Sequence, residues 1–139
     1  MIVALDVGER RIGIAVSDPS ESYALPLRTL ERTTLHADLS AIVEVTRDYT
    51  AATIVVGDPV ALSGERQLAA RKMDAFVATL ARAYDGTIER IDERLTTAQA
   101  TRTLVAADVS RKVRKRVVDQ LAAVLILDAF LARKRQATR

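Results

Sequence analysis

Three acidic residues occur at positions where burying a carboxylate costs free energy, unless the group has a partner or a function. Asp6 falls inside the apolar run Ile-Val-Ala-Leu-Asp-Val, Glu93 directly follows another strand-like run, and Asp119 lies in a mostly apolar helical segment. A charge buried without a partner is unfavourable, and such local conflicts gather at functional sites. Structural alternatives stay open: Asp6 on a solvated face, or Asp119 paired with Lys115 or Lys112 at helical spacing.

The chemistry open to these acids follows from what the chain lacks. It has no cysteine and a single histidine, His36, which excludes a thiolate zinc site, a cysteine nucleophile and any two-histidine site. Three converging carboxylates with no softer ligand favour Mg²⁺ or Mn²⁺, as one or two ions. Two such ions can activate a water and stabilise the leaving oxygen in a phosphoryl displacement. Asp92 competes with Glu93, and strand alternation predicts that only one of the two faces the site.

Positive charge is concentrated at the carboxyl end. Residues 108–139 carry nine Lys or Arg against three Asp or Glu, whereas the preceding residues carry twelve against fifteen. A basic end on a mildly acidic body indicates contact with a polyanion such as nucleic acid. The alternatives are a solvated basic helix end and a genome that favours arginine, since Arg outnumbers Lys 17 to 4.

Six basic residues are the candidates for phosphate contact. Each could instead form an ion pair with a neighbouring acid or belong to a solvated basic turn. Gly8 is expected to permit a tight turn and close approach of phosphate or metal beside Asp6. The six candidates are Arg11, Arg94, Lys112, Arg114, Lys115 and Arg116.

The elements that must position these residues alternate in a recognisable order. Period-two and continuously apolar runs predict strands over 2–7, 11–17, 24–30, 53–56 and 87–91. Helical spacing predicts helices capped at Thr34 and ending near 48, over 65–83, from Thr96 or Thr97 to about 106, and over about 112–133. The order β-β-β-α-β-α-β-α-α predicts an α/β fold: an antiparallel meander beside parallel strands, with helices on both faces. Pro26 predicts an edge strand, and Gly13 a close backbone approach.

Length and composition restrict the classes of protein to which this chain can belong. The 139 residues, 49% hydrophobic and 28% charged, fit one globular domain spanning 1–139 with a single sizeable core. No apolar run is long enough to cross a bilayer, and no signal peptide is visible, so we expect a cytoplasmic protein. No aromatic platform for base stacking is evident, because Phe76 and Phe130 are predicted to lie in the core.

Four blocks of this sequence resemble the YqgF (RuvX) family. They occur in the family's order and extend over nearly the whole chain, which makes the resemblance specific. The blocks are Leu5 to Asp18, Ile54 to Pro59 with Gly64 after it, Asp92 to Thr97 followed by Ala100, and Val118 to Leu127.

The resemblance implies a ribonuclease H-like fold and a metal-dependent nuclease with Asp6, Glu93 and Asp119 as its acidic triad. It implies Mg²⁺ or Mn²⁺ as cofactor and a nucleic-acid substrate. Maturation of the 5′ end of 16S ribosomal RNA is the preferred role, with ribosomal particles as partners. Cleavage of four-way DNA, as a Holliday junction resolvase, is the alternative. A module that binds nucleic acid without cutting it ranks lower, because a pure binder needs no complete triad.

One block departs from the family pattern. The family loop usually reads Gly-Leu-Pro with an asparagine before the next glycine, whereas here Asp58 replaces the apolar residue and the asparagine is missing. We expect this loop, Asp58 to Gly64, to lie near the substrate.

Overall fold

A computed structural model describes residues 1–59, 64–93 and 111–137, with the backbone alone described for 64–66 and 111–117. The helix predicted from Thr96 or Thr97 therefore lies outside the described residues. Among the helices that are described, none combines the length and the apolar character needed to cross a membrane.

The first three strands form an antiparallel meander. β1 (Ile2–Val7) pairs with β2 (Arg11–Ser17), and β2 pairs with β3 (Ala24–Glu31). β3 forms one edge of the five-stranded sheet, whose order is β3-β2-β1-β4-β5. This edge position confirms the prediction from Pro26, which cannot donate to an interior ladder.

Two parallel strands complete the sheet. α1 (Leu35–Asp48) leads into β4 (Thr53–Asp58), which runs parallel to β1. α2 (Gly64–Ala83) leads into β5 (Thr87–Asp92), which runs parallel to β4. The predicted α/β class, with a mixed five-stranded sheet flanked by helices, is confirmed.

A separate apolar core lies on each face of the sheet. α1 and α2 pack on the face of β1 that carries Val3 and Leu5. α3 (Arg111–Ala137) packs on the opposite face, which carries Ile2 and Ala4. Because side chains alternate along a strand, Asp6 falls on the α3 face.

Most element boundaries agree with the sequence-based predictions. β1 and β2 have the predicted bounds, and the Thr34 hydroxyl caps α1 by accepting a hydrogen bond from the Ala37 N–H. β4 was predicted to end at Val56, yet it continues to Asp58. The reason is that Gly57 and Asp58 stay in register with the last residues of β5.

α3 ends at Ala137, four residues later than predicted, because its last turn is tied to the β2–β3 loop. Lys134 Nζ donates to Glu21 Oε1 at 2.7 Å, and Arg135 Nη1 donates to the Ser22 carbonyl at 3.1 Å. Glu21 Oε2 also lies 3.7 Å from the Met1 amino group. Met1 and the last turn of α3 are thereby held at one corner of the sheet.

Candidate active site

Asp6 is a buried carboxylate near the carboxyl end of a central strand. Only 6% of the residue is exposed, which excludes the solvated-face alternative. It projects toward α3 from the end of the sheet at which β1, β4 and β5 finish. Ligands of open α/β sheets bind in the crevice outside these strand ends.

A glycine in β2 lets α3 approach Asp6 closely. Gly13 is the direct cross-strand partner of Asp6. A Cβ atom at Gly13 would overlap the main-chain carbonyl of Asp119, so the helix backbone occupies the space that any side chain would need. The predicted close approach at Gly13 is confirmed, and it brings Asp119 next to β1.

A second glycine, Gly57 in β4, leaves room for the Glu93 side chain. The register between Leu5 and Val56 makes Gly57 the neighbour of Asp6 on the other side. A Cβ atom at Gly57 would lie 3.1 Å from Glu93 Oε1. Glu93 thus lies over the α3 face of β4, on the same side of the sheet as Asp6.

Asp92, the last residue of β5, and Glu93, which follows it, lie on opposite sides of the sheet. Ile91 belongs to the core under α3, so Asp92 faces the opposite side and Glu93 the α3 side. Asp92 stands in register with Asp58, whereas Glu93 lines the cavity described next. This arrangement matches the expectation that only one of the pair faces the site.

Asp6, Glu93 and Asp119 line one cavity of about 920 Å³. Its floor is the end of the sheet, with Val7 at the end of β1 and Gly8 of the β1–β2 connection. Its far wall comes from the start of α1 and from α2. Three acids from two strand ends and a helix, far apart in sequence, therefore line the same cavity.

The donor set suits Mg²⁺ or Mn²⁺, because it consists of carboxylate oxygens without histidine or cysteine. The three carboxylates do not form a closed ligand set, however: within 1–59, 64–93 and 111–137 no three acidic or histidine side chains are close enough to hold an ion. Arg11 Nε donates to Asp119 Oδ2 at 3.1 Å. A metal would have to compete with this guanidinium for Asp119.

The other predicted site residues have different outcomes. Arg11 forms the ion pair that was its structural alternative, with both side chains about one-fifth exposed. Gly8 lines the cavity, and its N–H closes the tight turn by donating to the Arg11 carbonyl at 2.9 Å. Arg94 lies outside the described residues. The four basic residues between 112 and 116 fall in the first turns of α3, where only the backbone is described.

Sequence reasoning missed Arg32, which lines the same cavity. Its Nε donates to Asp38 Oδ2 at 3.2 Å and its Nη1 to the Gly8 carbonyl at 2.8 Å. Its guanidinium carbon lies 5.6 Å from the centre of the Phe76 ring, within the range of a cation–π contact. The available signal was an arginine between a strand end and a helix cap, six residues before Asp38, the acid in the first turn of α1.

The atypical Asp58 has a partner inside the fold. Arg90 Nη2 donates to Asp58 Oδ1 at 2.7 Å, and Arg90 Nη1 donates to Asp74 Oδ1 at 2.8 Å. The guanidinium therefore joins the end of β4 to α2. Because Pro59, the next residue, lines the cavity, this network helps to fix the cavity's rim.

The family model RuvX, described as Holliday junction resolvase, matches residues 1–133. A Natranaerobius thermophilus protein named "Putative pre-16S rRNA nuclease" is 41% identical over 134 residues, which cover 96% of this chain and 94% of that protein. Proteins of the same name from Myxococcus xanthus and Moorella thermoacetica are each 42% identical, over 93% and 95% of this chain and 85% and 94% of those proteins.

Solved structures agree with the fold. Thermus thermophilus RuvC in complex with a Holliday junction substrate matches with a TM-score of 0.59 at 15% identity, covering 96% of this chain and 94% of that one. Another structure of the same RuvC gives 0.53 at 13% identity, covering 96% and 95%. Identities this low show the fold alone, and that fold is the predicted ribonuclease H-like one. Since the family model and relatives well above 30% identity extend over nearly the whole chain, the chain belongs to the RuvX family.

Proposed function

We propose that this chain is a metal-dependent nuclease that hydrolyses phosphodiester bonds of the 5′-extended precursor of 16S ribosomal RNA. The observation that carries the proposal is the convergence of Asp6, Glu93 and Asp119 on one cavity at the sheet's carboxyl end. The names of the full-length relatives support the choice of substrate. The reaction would take place in the cytoplasm, on free precursor or on ribosomal particles.

Asp6, Glu93 and Asp119 would hold one or two Mg²⁺ or Mn²⁺ ions. Bound there, the metal would supply an activated water and neutralise charge on the leaving oxygen. The chain supplies the positioning: Gly13 and Gly57 leave room for the two outer acids on either side of Asp6. Arg11 Nε contacts Asp119 Oδ2, and the guanidinium would turn to a substrate phosphate when that carboxylate is engaged by metal.

Basic residues would bind the sugar–phosphate backbone beside the cavity. We assign this role to the predicted phosphate contacts, with Gly8 allowing the close approach of a phosphate to Asp6. Phosphate contacts of this kind make affinity fall steeply with salt concentration. The assigned residues are Arg11, Arg94, Lys112, Arg114, Lys115 and Arg116.

Cleavage by the purified protein tests the proposal. Wild type, Asp6→Asn, Glu93→Gln and Asp119→Asn would be compared on precursor RNA with Mg²⁺, with Mn²⁺ and with chelator. We expect metal-dependent cutting by wild type and its loss in all three variants, with RNA binding in chelator retained. Asp48→Asn, an exposed acid on α1, is the matched control and should cut normally. Cutting that persists in chelator or in the triad variants would refute the proposal.

Cleavage of four-way DNA is the second candidate function, favoured by the family description and by the fold shared with RuvC. A junction substrate belongs in the same experiment. Cutting of the junction alone would replace the ribosomal role with this one. Binding of either substrate without any cutting would leave a non-catalytic nucleic-acid-binding module.

A further inference from the structure

The cavity that holds the three carboxylates also has an apolar wall. Leu35 at the start of α1 and Leu68, Met73 and Phe76 of α2 line it, together with Val7 from the end of β1. Leu35 is 44% exposed and Leu68 is 54% exposed. Aliphatic side chains left in water beside a functional cavity indicate a surface that contacts a ligand.

This exposure is selective. In the described part of the chain four large hydrophobic residues are exposed, and two of them, Leu35 and Leu68, belong to this wall. The other two, Tyr23 and Leu25, lie at the start of β3 and not on the cavity. The wall is therefore a distinct local feature of the cavity.

Two cations border the wall. Lys72 lines the cavity, with its ammonium 3.7 Å from the exposed carboxylate of Glu9. Arg32 is held more firmly, by Asp38, the Gly8 carbonyl and the Phe76 ring. Among the described residues, two of the five N–H donors of Arg32 form hydrogen bonds, to Asp38 and to the Gly8 carbonyl. The guanidinium is thereby held in place at the cavity, where its remaining donors can bind an anion.

The cavity combines carboxylates, cations and an apolar wall, and these match the parts of a nucleotide. The cations suit the phosphates that flank the bond to be cut, and the wall suits the face of a base. A continuous duplex presents its backbone outward and keeps base faces stacked inside, so it would leave the wall in water. An unpaired strand can turn a base onto it.

We infer that the exposed Leu35 and Leu68 of this wall, backed by the buried Met73 and Phe76, bind an unpaired nucleobase next to the phosphate at the carboxylates, so that the substrate strand is single-stranded where it is cut. This inference rests on the proposed nuclease function and names its substrate class. Contact with two leucines is tolerant of base identity, and Phe76 is buried, as the sequence predicted, so it offers no aromatic platform for stacking. A protein segment on the wall is the competing occupant, disfavoured because the wall is continuous with the carboxylates and bordered by cations.

Binding measured in chelator tests the inference without requiring cleavage. The probes are a single-stranded RNA, the same RNA annealed to its complement, and an abasic strand with the same number of phosphates. Wild type should bind the RNA about tenfold more tightly than the abasic strand, the size of one base stacked on a protein surface. The variant Leu35→Ser/Leu68→Ser should bind the two strands equally, with unchanged affinity for the duplex.

Leu25→Ser is the matched control, because Leu25 is 45% exposed and does not line the cavity. It should behave as wild type, and equal melting temperatures should show that all variants fold. Equal binding of RNA and abasic strand by wild type, or identical behaviour of the double variant and Leu25→Ser, would overturn the inference. Failure of the nuclease function is distinct: wild type would cut no RNA, yet the contrast between the strands would still be measured.

Discussion

The main-chain carbonyl of Asp119 occupies the space beside Gly13 in which a side chain would otherwise stand. Gly13 is also the cross-strand partner of Asp6. One contact between a helix backbone and a glycine therefore sets how deeply α3 packs on the sheet, and with it the separation of two of the three carboxylates.

Gly13→Ala should disturb both folding and activity. The new methyl group would meet main-chain atoms, which cannot rotate away, so α3 must shift outward. Overpacking of this kind lowers the free energy of unfolding by about 1–3 kcal/mol. Urea unfolding and the rate of RNA cleavage would measure the two effects. Unchanged stability together with unchanged cleavage would show that α3 does not pack against Gly13.

Gly57→Ala should affect the rate of cleavage more than the free energy of unfolding. Its Cβ would lie 2.5 Å from Ile126 Cδ1 and 3.1 Å from Glu93 Oε1, which are the ends of side chains that can move aside. We expect a smaller loss of stability than for Gly13→Ala but cleavage slowed by about 10- to 100-fold, since a catalytic group displaced by about 1 Å can cost that much.

The double variant Gly57→Ala/Glu93→Gln identifies the cause of that loss. If Gly57→Ala acts by displacing Glu93, adding it to Glu93→Gln should slow cleavage no further, because both changes remove the same interaction. Independent, additive losses would mean that Gly57 serves the site in another way.

Asp58→Leu, which restores the apolar residue usual in the family loop, should destabilise this chain. It would remove one of the two carboxylates that hold Arg90, whose Nε is buried and has no partner among the described residues. The Asp58–Arg90 pair is about one-third exposed, so we expect a coupling energy of about 1 kcal/mol rather than that of a fully buried pair.

A double-mutant cycle with Arg90→Met measures that coupling from urea unfolding. Asp74→Asn is the comparison, because Asp74 is 65% exposed and its bond to Arg90 should contribute less. A coupling of zero between Asp58 and Arg90 would mean that the atypical loop residue is not compensated by this network.

The sequence predicted the strands and singled out the candidate acids because both depend on local patterns. Alternation defined β1 and β2 to the residue, and the conflict of Asp6 with its apolar neighbours identified it as a site candidate. The Gly13 prediction succeeded for a similar reason: a glycine within an interior strand indicates that something packs closely on it.

What the sequence did not predict are contacts between distant segments. Arg11 and Asp119 are 108 positions apart, and nothing local distinguishes an arginine that binds phosphate from one that binds a carboxylate. The position of Arg32 at the cavity depends on its contacts with Gly8, Asp38 and Phe76, which only the folded chain brings together. Even the extension of β4 depended on a partner strand that begins almost thirty residues later.

Asp18, in the β2–β3 loop and away from the cavity, should make the stability of the fold depend on pH. Hydrogen bonds from the Ser20 hydroxyl and from the N–H groups of Tyr23, Ser22 and Ser20 lower the pKa of Asp18 from 3.8 to about 2. These bonds shape the β2–β3 loop whose Glu21 and Ser22 hold the end of α3. The ionised form of Asp18 therefore stabilises the folded chain.

Because this pKa is depressed on folding, the stabilisation is complete above about pH 4 and is lost as the pH falls toward 2. Asp18→Asn removes the charge and most of the acceptor capacity, so the variant should be less stable than wild type at neutral pH. The difference should shrink between pH 4 and pH 2, where Asp18 itself becomes protonated. Urea unfolding at a series of pH values measures this, with the exposed Asp48→Asn as control. A difference between wild type and Asp18→Asn that stays constant down to pH 2 would show that the charge on Asp18 does not support the loop.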